Sequence, residues 1–293
     1  WGTSAFWTAD AAGLTAPTTG WTPGADAVFS AGTDATGAYA VTLEGVQDAG
    51  TVTVEEGSVH LTGGGLLLSR PPAAIEVQSA ALTVSSPVSG SSGLRKRGPG
   101  LLALQGANTF TGAVRLGGGR LSLQDDSALG DTENDLVFAG GELATDDAVT
   151  LPATRELSGS GRLSPLAGTT LAVEGPVSMP VLELGAAGTL ALNNPSLSVG
   201  VLGLKAGGLV TGQPLTLQAV TAQLGGASAE VANPLNLGAS TRTVSVDAGS
   251  QLTLSGNLSL GGGGITALNK LDGGTLALTG SNAGLNKLSI GGQ

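Results

Sequence analysis

The sequence predicts an all-β protein built as a single parallel β-solenoid, and three observations carry that reading. Short apolar–polar alternations recur along the whole chain, glycine fills 50 of the 293 positions, and one segment returns 174 residues further on. Alternation with a period of two, bounded by Gly, Asn, Asp or Pro, marks short strands with one apolar face. No stretch combines a 3.6-residue period with capping residues, so no helix is expected. Charged residues make up 12% and aromatics 3%, whereas an ordinary soluble domain has about 25% charged residues. Such a surface is covered by Ser, Thr, Gly, Ala and Asn, and a core of Leu and Val suits thin repeated layers better than a compact α/β enzyme.

In chain order the strands are expected at Val41–Leu43, Thr51–Val54, Ser58–Leu61, Leu82–Val84, Leu102–Leu104 and Leu121–Leu123. They continue at Leu171–Val173, Val181–Leu184, Leu190–Leu192, Leu215–Leu217, Val244–Val246, Leu252–Leu254, Leu258–Leu260 and Leu276–Leu278. Turns fall between them at Ala49-Gly50, Gly63 to Gly65, Gly117 to Gly119, Gly140-Gly141 and Gly261 to Gly264. Strands this short cannot bury enough surface as an isolated meander. Stacked in coils they can, because inward Leu and Val pack on the same positions of the coils above and below. With three strands and roughly 20 to 25 residues per coil, about 12 to 14 coils rising ~4.8 Å each are expected. A Greek-key sandwich is the rival architecture for short, evenly spaced strands. The internal repeat favours the solenoid: Leu94, Lys96, Gly100, Leu102, Ala103, Leu104, Gly106 and Asn108 align with Leu268, Lys270, Gly274, Leu276, Ala277, Leu278, Gly280 and Asn282.

Composition also excludes function classes. The net charge is −10 with only 12 Lys and Arg, so there is no basic stripe to neutralise a phosphate backbone and no nucleic-acid partner is expected. No 18-residue apolar run, signal peptide or set of membrane-barrel strands is present, so the segment is expected not to insert in a membrane and reads as a mature or excised soluble piece. With no cysteine and one histidine, His60, disulfides, thiolate sites and multi-histidine sites are excluded.

The remaining candidates for chemistry each have a plainer reading. Asp131, Glu133 and Asp135 alternate as calcium-binding or glycosidase carboxylates would, but they follow the turn at Ala128-Leu-Gly130 and are expected to form a solvated acidic loop. Asp125-Asp126, Asp146-Asp147 and Glu55-Glu56 are adjacent pairs whose side chains diverge in extended chain. His60 alternates with Val59 and Leu61 and is expected to face outward without a nucleophile motif. Arg95-Lys96-Arg97, the one basic cluster, would serve as a processing site or a contact for an acidic glycan, with a solvated turn as the plainer expectation. Trp1, Trp7 and Trp21 would stack on sugars or close the end of the solenoid core, the latter being favoured because an open coil end exposes backbone edges and apolar interior. Glycine runs lack the Lys-Ser/Thr and helix of a phosphate cradle. No catalytic, cofactor-binding or metal residue is assigned, and no cofactor is expected.

The run Gly100 to Gly112, then Val114-Arg-Leu116, Gly117 to Gly119, Leu121-Ser-Leu123 and Ser127-Ala-Leu-Gly130, resembles the passenger-associated transport repeat, an autotransporter-associated β-strand repeat of bacterial surface proteins. Lys270 to Asn282 is similar to a second, truncated copy, and the opening Trp7, Trp21 and Phe29 resemble the first coils of such passengers. The resemblance implies one continuous right-handed parallel β-helix over residues 1–293, with N-terminal capping coils in 1–45 and repeats at 94–130 and 268–293. It further implies a secreted segment at the bacterial cell surface, associated with the outer membrane or extracellular. The expected function is a non-catalytic structural or adhesive stalk whose partner is a host cell, a glycan or another copy of itself. The alternatives are a self-assembling filament or surface-layer subunit, which Gly291-Gly-Gln293 with no evident cap leaves open, and a polysaccharide-cleaving β-helix enzyme.

Overall fold

A computed structural model describes residues 1–10, 18–30, 36–236, 238, 240–259, 267–282, 285 and 287–291. It is all-β, with parallel strands stacked as a β-solenoid of about 12 turns. Among the described residues the one helical element is a 3-10 turn, Asp126–Leu129. Contacts divide the chain into two units, Trp1–Leu143 and Ala144–Gln293.

In the first unit one ladder runs through Ala27–Phe29, Thr51–Val54, Ala74–Val77, Leu94–Arg97, Val114–Leu116 and the start of Leu136–Thr145, each strand parallel to the next. A second runs through Ala38–Ala49, Ser58–Leu68, Ala81–Val84, Leu101–Leu104 and Arg120–Leu123. Register aligns the inward side chains in columns. Ala27, Val52, Ile75, Lys96, Leu116 and Phe138 form one, and Leu61, Val84, Leu104 and Leu123 another, all buried. Each strand alone is marginal, but its apolar face is removed from water on both sides, which supplies the stabilisation.

Residues preceding the first ladder lie along the Ala38–Ala49 strand of the second. The Trp1 ammonium donates to the Thr42 carbonyl at 2.6 Å, Glu44 N–H donates to Trp1 at 2.8 Å, and Trp7 and Thr19 make an antiparallel bridge. Trp1, Trp7 and Trp21 pack on one another with ring centroids 4.5–5.2 Å apart, and Trp1 and Trp7 reach Phe29 at 5.5 and 5.4 Å. Phe29 begins the inward column that continues through Val54 and Val77. The aromatic group thus packs on Phe29 at the start of that column.

Among the described residues the second unit has three ladders. A seven-stranded sheet joins Val149–Leu151, Thr170–Val173, Thr189–Leu192, Leu209–Gly212, Ser228–Val231, Gln251–Leu254 and Thr275–Leu278. A second ladder joins Leu157–Pro165, Val177–Leu184, Leu197–Leu204, Ala219–Ala222, Arg242–Val246, Ala267–Leu271 and Lys287–Ile290. The third is a three-stranded sheet of Leu215–Thr216, Leu235–Asn236 and Leu258–Ser259. Coil length varies from 18 residues, between paired Leu204 and Ala222, to 26, between paired Val244 and Lys270. The range is wider than the strand spacing implies, because turns take up insertions that the inward columns cannot. The expected turn at Gly261 to Gly264, Leu260 and the closing Gly292-Gln293 lie outside the described residues.

Candidate functional site

Only one acidic set alternates in sequence, and its surroundings were built by the chain around Asp125. The Asp125 carboxylate accepts the Ser127 N–H at 2.8 Å and caps the 3-10 turn, burying Ala128 and Leu129. Gly130 follows at φ 74°, and Asp131 then accepts the Glu133 N–H at 2.9 Å. Asp131 and Glu133 are exposed in this turn while Asn134 between Glu133 and Asp135 is buried. Asn134 accepts the Gly112 N–H at 2.6 Å and donates to the Phe110 and Leu129 carbonyls at 2.9 and 3.0 Å. The turn is therefore a joint between coils, with Asp131 and Glu133 exposed and Asp135 half-buried. Asp146 and Asp147 are likewise exposed, and Glu55 and Glu56 are half-buried in a bend. Among the described residues no three His, Asp or Glu side chains come together as a metal site.

His60 is half-buried on the outward side of its strand, in register with Thr83. Its Nε2 lies 2.8 Å from Ser85 Oγ, which donates to Gln105 Oε1 at 3.0 Å. The serine is reached across one coil and has a neutral amide as its other partner, so the row is a polar ladder along the solenoid. Sequence separation hid it: the three residues become neighbours only through the coil repeat.

The expectation of a solvated turn at Arg95-Lys96-Arg97 is corrected. Leu94–Arg97 is a strand, with Lys96 pointing inward at 1% exposure and Arg95 and Arg97 pointing outward. Lys96 Nζ donates to the carbonyls of Arg97 and Gly98 at 2.7 Å and of Gly118 at 3.2 Å. Burial pushes its ammonium down to about 8, against the opposing pull of Glu76. A lysine so enclosed is unavailable to a protease or a glycan. The turn began one strand later than the sequence implied because the aliphatic stem of lysine packs in a column while its head finds carbonyls.

An outward charge row in the second unit was also not legible beforehand. Arg162 donates to Glu183 at 2.9 Å, and Lys205 lies 3.3 Å from the same carboxylate and donates to Gln223. Burial works against the charged Glu183, but hydrogen bonds from Arg162 and Lys205 outweigh it and hold the carboxyl below its usual range. All four sit on consecutive coils, and each cation is committed to a partner. Trp7 and Trp21 remain half-buried, with Trp21 Nε1 donating to the Asp48 carbonyl at 2.9 Å. The two rings pack against each other at a tilt of 53°.

Among the described residues no helix is long and apolar enough to cross a membrane. Compared with known proteins, 143 residues, 48% of the chain, are 36% identical to the protein named Adhesin BmaC autotransporter of Brucella suis biovar 1 (strain 1330). The matched stretch covers 4% of the length of that relative. No protein-family model matches the chain. No solved structure matches it either.

Proposed function

We propose that this chain is a β-helical segment of an autotransporter-type passenger, displayed at a bacterial surface or released outside it, which acts in adhesion and without catalysis. The observation that carries the reading is its similarity to the Brucella adhesin, 36% identity over 143 residues. The fold supports it: stacked parallel coils make a long surface from little sequence information, and ladder hydrogen bonds along the stack resist unravelling. The sparse titratable groups support the absence of catalysis. Glycan cleavage needs an acid and a base at set separation, and the alternating carboxylates Asp131, Glu133 and Asp135 belong to an inter-coil turn in which Asp131 and Glu133 are exposed. We further propose one continuous solenoid over both units, with the first residues acting as its cap.

The test is attachment. Beads coated with the purified chain should bind mammalian cells or immobilised matrix above beads coated with an unrelated β-solenoid. Polysaccharides incubated with the chain should show no new reducing or unsaturated ends. Release of such ends, abolished when Asp131, Glu133 and Asp135 are changed to Ala, would overturn the non-catalytic reading, and no attachment to any surface would overturn the adhesive one.

A further inference from the structure

On the outer face of the first unit, Arg95 and Arg115 are register partners on adjacent parallel strands. The inward neighbours Leu94, Lys96, Val114 and Leu116 are buried, which fixes both arginines outward. Paired strands lie about 4.8 Å apart, so the two arginine side chains leave the same face side by side, and Arg97 stands on that face about 6.6 Å along the strand. Like charges directly opposite one another are unfavourable. Nothing in the register relieves them, since the same row holds Ala74 on the coil before and Val137 on the coil after.

Among the described residues no guanidinium group of Arg95, Arg97 or Arg115 forms an ion pair or hydrogen bond. Glu76 is the register neighbour of Arg97, yet its carboxylate takes the Gln78 amide at 3.4 Å. This contrasts with Arg70, Arg120 and Arg162, each of which has a carboxylate partner. The following turn leaves the row uncovered, with Gly98, Pro99 and Gly100 on one coil and Gly117 to Gly119 on the next.

We propose that Arg95, Arg97 and Arg115 form a binding surface for a linear acidic glycan, its sulfate or carboxylate groups lying across the two coils. Guanidinium forks match those oxyanions bidentately and supply more than a point charge. A lipid surface fits less well, because none of the exposed large apolar side chains lies in residues 94–123. Nucleic acid fits less well too, since three cations on a chain of net charge −10 fall short of the six to ten phosphate contacts typical of such binding, roughly speaking. This deepens the adhesive reading and rests on it for its biological setting.

The test uses the full chain, immobilised heparin as the sulfated probe, and desulfated heparin beside it. The expected result is binding to heparin that weakens with salt, falls at least about tenfold in Arg95→Ser/Arg115→Ser, and is lost on desulfation. A control, Arg70→Ser/Lys205→Ser, removes the same charge elsewhere and should change binding less than about twofold. Equal melting temperatures will show that the outward variants fold. Equal losses in both variants, no heparin binding, or duplex DNA bound as tightly as heparin would each overturn the proposal. So would undiminished attachment of the Arg95→Ser/Arg115→Ser chain to glycosaminoglycan-bearing cells, which leaves adhesion itself standing. Failure of every form to attach to cells would count against adhesion alone, with the heparin result still judging the arginine row.

Discussion

Lys96 and Lys270, 174 positions apart, occupy the same kind of place: each is an inward residue in an aliphatic column and turns its ammonium onto the carbonyls of the turn that follows. Lys96 lies between Ile75 and Leu116, and Lys270 between Val244 and Ile290. Lys270 Nζ donates to the carbonyls of Leu271 at 2.7 Å and Asp272 at 2.5 Å, as Lys96 does to Arg97 and Gly98. The second turn residue is left-handed in both, Gly98 at φ 74° and Asp272 at φ 64°. A left-handed turn directs carbonyls at the interior, where an aliphatic column has no donor, and a buried carbonyl without a partner is costly. Lysine answers both demands, with a stem that packs and a head that donates.

The pH dependence of stability should carry the Lys96 signature. The folded chain releases this proton near about 8, the unfolded chain at the ordinary 10.5. Between those values unfolding takes up a proton, so the contribution to stability rises with pH across the window and is flat below it. Denaturant midpoints of the native chain and Lys96→Met at pH 7 and pH 10 should differ by more at pH 10, in favour of the native chain. A constant difference would exclude the shift.

Asn108 should be a costly residue to truncate. Buried between coils, it accepts the Val88 N–H at 2.7 Å and donates to the Ala128 carbonyl at 2.6 Å. Asn108→Ala strands a donor on one coil and an acceptor on another, and we expect a loss of about 2–4 kcal/mol by equilibrium denaturation. Asn108→Asp should also destabilise, because a carboxylate oxygen would face the Ala128 carbonyl.

Adjacent positions in one strand should respond oppositely to charge. Leu151 is fully buried and Thr150 exposed in Val149–Leu151. Leu151→Asp buries an unpaired carboxylate and should cost roughly 4 kcal/mol or more, whereas Thr150→Asp should stay within about 1 kcal/mol. Equal thermal shifts would contradict the inward assignment.

Two glycines at positive φ separate strain from crowding. Gly249, at φ 78°, has open space where a methyl would go, so Gly249→Ala should cost only the left-handed conformation, about 1–2 kcal/mol. Gly212, at φ 118°, would set its methyl against the Leu192 carbonyl of the preceding coil. Gly212→Ala should cost clearly more, read as the difference in melting temperature between the two variants.

The inward or outward sense of aliphatic residues was legible in the sequence, because period-two alternation is a local property of extended backbone. The turns expected at Gly63 to Gly65 and Gly140-Gly141 instead lie within the strands Ser58–Leu68 and Leu136–Thr145. Val59, His60 and Leu61 fell on the sides expected, and the acidic run Asp131 to Asp135 fell in a turn. Lys96 did not follow the pattern, since hydropathy places charge outside and only the carbonyls of its own turn and of Gly118 make the interior tolerable. The neighbours along the stack were equally hidden. Arg95 meets Arg115 across 20 residues, and Arg162 meets Glu183 across 21. Which side chains share a row depends on coil length, and coil length is set by turns that differ in length from coil to coil. The sequence by itself therefore determined that the chain alternates, turns and stacks. The tertiary structure alone decided which residues touch, since inter-coil register sums the lengths of every intervening turn and no local pattern encodes that sum.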